Sequence, residues 1–216
     1  MEDRYKFITF EGIDGAGKDT QLYQLAEMIR EDESFYGNKY HNVWITREPT
    51  QHSEPGRKIC DLLKKDNISK EEATELFVSD RIEHSRVIED VLRHSDVLLS
   101  RYDLSTLTYQ YAQGMPLDEL YNMHRYGERD GTIIPDITLF FDISAEKAAK
   151  RMLGRKSKEY FENLEFQRDV REKSYEVMDY LKKRDGRDII VINAERPVDS
   201  VSQEMHDRLK QFFDNG

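Results

Sequence analysis

The sequence contains little cysteine, with Cys60 as the single thiol in 216 residues. One thiol excludes an internal disulfide and a metal-binding cluster of cysteines, and this usage is typical of a reducing compartment. The sequence also lacks an apolar run of membrane-spanning length, and its first residues contain no apolar core of a signal peptide. We therefore expect a soluble, cytoplasmic protein with no membrane partner.

Positive charge is in deficit, with 33 Lys and Arg against 43 Asp and Glu and a net charge of −10. A surface of this sign repels the phosphates of nucleic acids and of anionic membranes, so we expect neither as a general partner. Any site for a phosphorylated ligand must then be locally basic. A chain of this length can bury a substantial core, as one large domain or as a domain with a small insertion.

Short apolar runs alternate with longer amphipathic stretches, which is typical of a parallel sheet covered by helices on both faces. The predicted strands are residues 6–10, 43–46, 97–100, 137–142 and 189–192. The predicted helices are residues 20–30, 70–93, 117–126, 146–152, 162–183 and 198–213. We predict an α/β fold with a five-stranded parallel sheet, in which ligands lie beyond the carboxyl ends of the strands.

The first predicted strand leads into three glycines and a lysine at the spacing of a P-loop, before a helical stretch. Such glycines let backbone N–H groups point at an anion, and the lysine adds a mobile positive charge. A glycine-rich turn without a ligand is the alternative, but the order of strand, glycines, lysine and helix favours a nucleotide. The predicted nucleotide-binding residues are Gly12, Ile13, Asp14, Gly15, Ala16, Gly17, Lys18, Asp19 and Thr20.

Two positions depart from the usual arrangement for Mg²⁺. A P-loop carries Ser or Thr directly after its lysine, and here that residue is Asp19. In many P-loop proteins the third strand ends in an aspartate that organises Mg²⁺, and here it ends in Ser100. We consider Asp103 as a candidate to compensate, and the identity of the metal ligands stays open.

One predicted helix carries side chains that suit a nucleobase. Phe77 and Arg81 are four residues apart and share a face, so a ring for stacking and a planar set of donors can be presented together. A core phenylalanine with a surface arginine would show the same spacing, and spacing alone favours that interpretation. His84 fits a structural role better than a catalytic one.

Basic residues are concentrated in residues 150–158, which hold five of them in nine positions. A solvated end of a charged helix would explain this. Beside a P-loop we favour a mobile basic lid over the transferred phosphate, at about residues 150–162.

Several segments in this order resemble a thymidylate kinase, of the P-loop nucleoside-monophosphate kinase type, along essentially the full chain. They are residues 10–18, residues 47–49, residues 77–81 with His84, and Arg101-Tyr102 with Ser105, Tyr109 and Gln110. The resemblance implies a P-loop NTPase fold in one kinase domain, residues 1–216. It also implies transfer of the γ-phosphoryl group of ATP to dTMP with Mg²⁺, in dTTP synthesis.

The resemblance implies roles for individual residues. The loop has no arginine, as in relatives whose lid supplies the catalytic arginines, so the implied catalytic residues are Lys18, Arg101, Arg151 and Arg155. The implied acceptor-binding residues are Asp14, Arg47, Glu48, Pro49, Phe77, Arg81, Arg101, Ser105 and Tyr109. Among them Phe77 would stack on thymine, Arg81 would reach a base carbonyl, and Tyr109 would crowd a 2′-hydroxyl. Asp14 is the implied metal ligand, and Glu162, three residues after Glu159, is a second candidate because the two carboxylates could turn one face toward a metal.

Assembly and activity leave alternatives. The family usually forms homodimers through the helix that carries Phe77, where Ile82, Val87, Ile88 and Val91 would serve either an interface or a monomer's core. The chain could phosphorylate another nucleotide or a nucleoside. It could also be a regulatory nucleotide-binding protein that has lost catalysis, an alternative suggested by Ser100 and Asp19.

Overall fold

Five parallel strands form the centre of the computed structural model, which describes residues 5–31, 42–64, 68–152 and 164–214. The strands are β1 Phe7–Glu11, β2 Val43–Arg47, β3 Asp96–Ser100, β4 Ile137–Asp142 and β5 Ile189–Asn193. Their order in the sheet is β2-β3-β1-β4-β5. The predicted five-stranded α/β architecture is confirmed, and each strand lies within one residue of its predicted bounds.

The described part of the chain contains eight helices around this sheet. They are α1 Lys18–Glu31, α2 Glu54–Leu63, α3 Lys70–Val91, α4 Asp103–Ala112, α5 Leu117–Met123, α6 Ala145–Met152, α7 Leu164–Asp185 and α8 Val198–Asp214. None of these helices is both apolar enough and long enough to cross a membrane. Helices α2 and α4 were not predicted.

Both unpredicted helices begin in segments that resemble loops. In α2 the Ser53 Oγ caps the helix by accepting from the Gly56 N–H at 2.8 Å, and Pro55 lies in the first turn, where a missing N–H removes no helical hydrogen bond. The start of α4 has no side-chain cap of its own. Instead, Glu11 from β1 accepts from the backbone N–H groups of Tyr102 and Ser105 at 2.8 and 3.2 Å.

The sheet order brings three loops to one edge. Strand β3 lies between β1 and β2, with Ser100 in register with Phe10 on one side and Arg47 on the other. The glycine-rich loop after β1, the turn after β2 and the turn after β3 therefore leave the sheet side by side. Strands β1 and β3 are buried along their whole length, which fixes this edge on a rigid base.

Candidate active site

A cavity of about 710 Å³ opens at the carboxyl edge of the sheet. Its walls include residues 14–21, Arg47, Ser100, Arg101 and Arg151. Parallel sheets of this kind bind ligands at this edge. The structure thus brings most of the predicted nucleotide-binding residues to one cavity.

The loop before α1 is shaped by close backbone approaches that only glycine permits. Gly12 has a φ of 137°, and a Cβ added there would lie 2.6 Å from the carbonyl oxygen of Phe141. Gly15 has a φ of 84°, and its Cβ would lie 2.6 Å from the carbonyl oxygen of Ala148 in α6. Glycine tolerates both the positive φ and the short approach, so the loop is packed against β4 and α6.

Lys18 is buried under this loop. Its Nζ donates to the carbonyl oxygens of Gly12 and Ile13, both at 2.9 Å. Burial, followed by the positive charge of Arg101, lowers the pKa of Lys18 to about 7. The amine is therefore held against the carbonyl oxygens of the loop, and an anion bound nearby would favour its charged form.

Arg101 and Asp14 form an ion pair at the edge of the cavity. Arg101 has a φ of 63° and donates from Nη1 to the Ser105 Oγ at 3.3 Å, while its guanidinium lies 5.8 Å from the centre of the Tyr109 ring. Burial would raise the pKa of Asp14, but the charges of Arg101 and Lys18 outweigh it and hold that pKa below its usual value. Asp14 is therefore a carboxylate at neutral pH.

A second cavity, of about 460 Å³, adjoins the first. Its lining contains every predicted acceptor-binding residue except Arg47, namely Asp14, Glu48, Pro49, Phe77, Arg81, Arg101, Ser105 and Tyr109. Four residues belong to the walls of both cavities, namely Asp14, Glu48, Pro49 and Arg101. Two ligands bound in these cavities would therefore meet at Asp14 and Arg101.

On α3 the arginine of the pair is buried and the phenylalanine is partly exposed. Arg81 is only 1% exposed, whereas Phe77 is partly exposed at the cavity wall. Arg81 donates from Nη2 to the Tyr102 carbonyl oxygen and to the Thr106 Oγ1, both at 3.0 Å, and its Nε donates to Glu48 at 2.8 Å. The interpretation that spacing alone favours, a core phenylalanine with a surface arginine, is therefore wrong.

Two histidines hold the ion pair of Arg81 and Glu48. His84 lies with Nδ1 3.0 Å from Glu48, in agreement with a structural role, and His124 lies with Nε2 2.8 Å from Nη1 of Arg81. Burial, followed by the charge of Arg81, lowers the pKa of His124 to about 3, so its ring is neutral. Nδ1 then donates to the Leu120 carbonyl oxygen at 2.7 Å, and Nε2 accepts from Arg81.

The two residues that depart from the usual Mg²⁺ arrangement are in direct contact. The Ser100 Oγ donates to the Asp19 Oδ1 at 2.6 Å. Nη2 of Arg47 donates to the Asp19 Oδ2 at 3.3 Å. Asp103 does not compensate for Ser100, because it is fully buried and its Oδ2 accepts from Arg187 at 2.7 Å. That interpretation of Asp103 is wrong.

The oxygen atoms at the loop fit Mg²⁺. This ion prefers oxygen ligands, and proteins hold it through one or two carboxylates together with substrate phosphates and water. The Asp19 side chain is 55% exposed and lies in the same cavity wall as Lys18 and Ser100. Within residues 5–31, 42–64, 68–152 and 164–214, no three His, Cys, Asp or Glu side chains form a metal-binding group.

Glu11 is a residue of this site that the sequence analysis missed. It is fully buried, and its Oε2 accepts from the Ser105 Oγ at 2.5 Å while Oε1 accepts from the Tyr102 N–H. Burial raises the pKa of Glu11. A charged residue between an apolar strand and Gly12 was the available signal, but its partners lie more than 90 residues away.

The structure describes only the first residues of the predicted lid, and it describes the predicted dimer face on α3 in full. Arg155 and Glu162 lie outside the described residues, whereas Arg151 lines the larger cavity and donates to the Ala194 carbonyl oxygen at 2.8 Å. On α3, Ile88 is fully buried in the core, whereas Val87 is 50% exposed. Ile88 therefore serves the core.

The chain is similar to thymidylate kinases. A family profile described as thymidylate kinase matches residues 10–205. A probable thymidylate kinase of Methanococcus maripaludis is 34% identical over 93% of this chain and 92% of its own length. A probable thymidylate kinase of Methanococcus aeolicus is 36% identical over 94% of this chain and 95% of its own length. Another, from Thermococcus kodakarensis, is 33% identical over 92% of this chain and 94% of its own length.

Proposed function

Since the chain belongs to the thymidylate kinase family, we propose that it transfers the γ-phosphoryl group of ATP to dTMP, giving dTDP and ADP for dTTP synthesis. The observation that carries this proposal is the pair of adjoining cavities that share Asp14 and Arg101. ATP would occupy the cavity of the glycine-rich loop. dTMP would occupy the cavity lined by Phe77 and Tyr109.

The reaction needs charge neutralisation more than it needs a base. The second pKa of a phosphate monoester is about 6, so the acceptor phosphate is largely a dianion at neutral pH and is already a nucleophile. The main obstacle is the repulsion between two polyanions. Lys18, Arg101 and Arg151 would offset this repulsion in a chain whose net charge is −10.

The loop would hold the donor phosphates. Its backbone N–H groups and the N-terminus of α1 would bind the phosphate oxygens, with Gly12, Gly15 and Gly17 allowing their approach. Lys18 would exchange its bonds to loop carbonyl oxygens for bonds to phosphate. Mg²⁺, when bound, would supply positive charge to the donor phosphates, and Asp14 at the junction of the cavities would help to hold it.

The second cavity would select thymidylate. Phe77, on its wall, would stack on the base. Four of the five N–H groups of Arg81 are engaged within the described chain, and the remaining one on Nη1 would donate to a base carbonyl oxygen.

The sugar and the phosphate of the acceptor would lie nearer to the junction of the cavities. Arg101, with Arg47 and Ser105 beside it, would bind the acceptor phosphate, and Tyr109 would lie against the deoxyribose. Glu48 and Pro49 would shape the cavity between base and phosphate. These residues line one or both cavities in the structure.

The lid and the assembly complete the proposal. Residues 150–162, with Arg151 and Arg155, would close over the phosphates and exclude water that would otherwise hydrolyse ATP. The chain would act as one kinase domain, residues 1–216, in the cytoplasm. Two chains would pair along α3, where Val87 is exposed, to form a homodimer.

ADP release from Mg–ATP with a panel of acceptors tests the proposal. Turnover with dTMP, and little with other monophosphates or with thymidine, is the expected result. Turnover with a different acceptor would assign the chain to another kinase activity, and ATP binding without any turnover would make it a regulatory protein. The variant Lys18→Met should nearly abolish transfer, whereas Lys173→Met, a surface lysine paired with Glu176, should leave the rate unchanged.

A further inference from the structure

We propose that Asp19 and Ser100 have exchanged the two roles that P-loop enzymes divide between a hydroxyl after the lysine and a carboxylate at the end of a strand. Asp19 then provides the anionic oxygen for the Mg²⁺ that accompanies ATP, and Ser100 holds that carboxylate in place. The inference rests on the proposed use of ATP. It identifies which residues of this chain form the metal side of the site.

The fold places the two positions face to face. Ser100 is the last residue of β3 and pairs with Phe10 of β1, and the loop after β1 leads directly into α1, whose second residue is Asp19. The resulting hydrogen bond from the Ser100 Oγ to the Asp19 Oδ1 is 2.6 Å long. A carboxylate on the helix is therefore oriented by a hydroxyl on the strand.

The chemical content of the usual arrangement is preserved. P-loop enzymes hold Mg²⁺ with a Ser or Thr hydroxyl next to the lysine and an aspartate from a neighbouring strand. Here the same two groups are present, with the elements that carry them interchanged. The site keeps one carboxylate and one hydroxyl. If only one of these groups had been lost, the site would contain only the other.

Two other carboxylates near the loop each have an arginine partner, so neither replaces the missing aspartate of the strand. Asp14 is paired with Arg101, and Asp103 with Arg187, whose side chain is fully buried. Asp19 also lies 3.3 Å from Arg47, but both side chains are more than half exposed. An exposed pair of this kind contributes little stability, so Arg47 can release the carboxylate when Mg–ATP arrives.

The exchange predicts a reciprocal pattern in four proteins: the wild type, Asp19→Ser, Ser100→Asp and the double variant Asp19→Ser/Ser100→Asp. Their affinity for Mn²⁺, used as a probe for Mg²⁺, is measured by electron paramagnetic resonance in the presence of a non-hydrolysable ATP analogue. Asp19→Ser should weaken Mn²⁺ binding about 10- to 100-fold, the range found when a residue supporting a metal is lost.

The double variant gives the decisive comparison. It places the hydroxyl on the helix and the carboxylate on the strand, so its Mn²⁺ affinity should return to within about threefold of the wild type. Such a recovery would show that the effects of the two substitutions are strongly coupled, as expected for residues in contact. Ser100→Asp alone brings two carboxylates together, and like charges should lower its thermal midpoint until Asp19→Ser is added. Glu27→Ser, which removes an exposed charge from the same helix, is the matched control and should leave Mn²⁺ affinity unchanged.

Two results would overturn the inference. They are an Asp19→Ser variant that binds Mn²⁺ as well as the wild type, and a double variant no better than Asp19→Ser. Either would leave ATP-dependent transfer standing as the function. A wild type that does not bind the ATP analogue at all would reject both the exchange and the proposed function. Circular dichroism of each variant shows whether it is folded.

Discussion

Arg81 and Glu48 form an ion pair inside the protein, with Nη2 and Oε2 2.7 Å apart and each side chain 2% exposed. Both residues belong to the lining of the second cavity, and His84 and His124 extend the pair on both sides. The base recognition proposed for Arg81 would therefore depend on a network that is in place before any ligand arrives. Such preorganisation avoids the cost of ordering the side chain on binding.

Breaking this pair should destabilise the whole protein. Arg81→Met leaves Glu48 buried without its partner and should lower the free energy of unfolding by about 3–5 kcal/mol. Arg86→Met is the matched control, because Arg86 lies on the same helix in an exposed pair with Asp130 and should change that free energy by less than about 1 kcal/mol. Urea denaturation measures both variants, and equal effects would mean that the buried pair contributes no more than the exposed one.

Acid sensitivity should depend on His124. Its pKa is about 3 in the folded protein and about 6.5 in the unfolded chain, so the unfolded chain binds more protons between these values. The free energy of unfolding should therefore fall as the pH drops from 6.5 towards 3, by about 1.4 kcal/mol per pH unit from this group alone.

The variant His124→Gln isolates that contribution. Glutamine does not titrate, and its side-chain oxygen can still accept from Arg81. Urea denaturation between pH 4 and 7 should show a shallower loss of stability for the variant than for the wild type. Parallel pH profiles would show that His124 does not titrate as the structure indicates.

Acceptor binding should depend on Arg101. Arg101→Met removes the guanidinium at the junction of the cavities and should raise the KM for dTMP roughly 10- to 100-fold, in line with about 1.5–3 kcal/mol for a hydrogen bond to a charged group. Arg93→Met, at an exposed position near the end of α3, should leave KM unchanged. Steady-state kinetics with varied dTMP checks this prediction, and an unchanged KM in Arg101→Met would contradict it.

Sugar selection should depend on the ring of Tyr109. The ring packs against the Arg101 guanidinium and against Phe166, whose ring centre lies 6.2 Å away, so we expect it not to yield easily to a 2′-hydroxyl. Tyr109→Leu should reduce the ratio of kcat/KM for dTMP over its ribose analogue by about tenfold, since one pocket contact contributes about 1–3 kcal/mol. Tyr109→Phe keeps the ring and should keep the ratio. Loss of selection in both variants would assign it to the hydroxyl instead.

The sequence was sufficient to predict the sheet and to select residues that mostly line the two cavities of the candidate site. Fully apolar strands and the spacing of glycines and Lys18 depend on short stretches of chain, and local physics determines them. Helix α2 was not predicted because the sequence Pro55-Gly56 is typical of a turn, although proline is well tolerated in the first turn of a helix. Helix α4 escaped because its first N–H groups are bound by Glu11, a partner distant in sequence.

Contacts between distant segments account for the remaining differences. The hydrogen bond between Ser100 and Asp19 follows from β3 lying between β1 and β2, and no local pattern specifies that order. The burial of Arg81 likewise depends on Glu48 and His124, which come from two other segments. Spacing along α3 shows which residues share a face, but it does not show what covers that face.

The close approach of Gly15 to the Ala148 carbonyl oxygen restricts what this loop can become. A side chain introduced at this position would have to displace the backbone of α6, the helix whose last three residues begin the basic segment 150–158. An arginine carried by the loop itself is thus ruled out at this position by packing. A chain that acquired an arginine at position 15 would first have to rebuild the junction between the loop and α6.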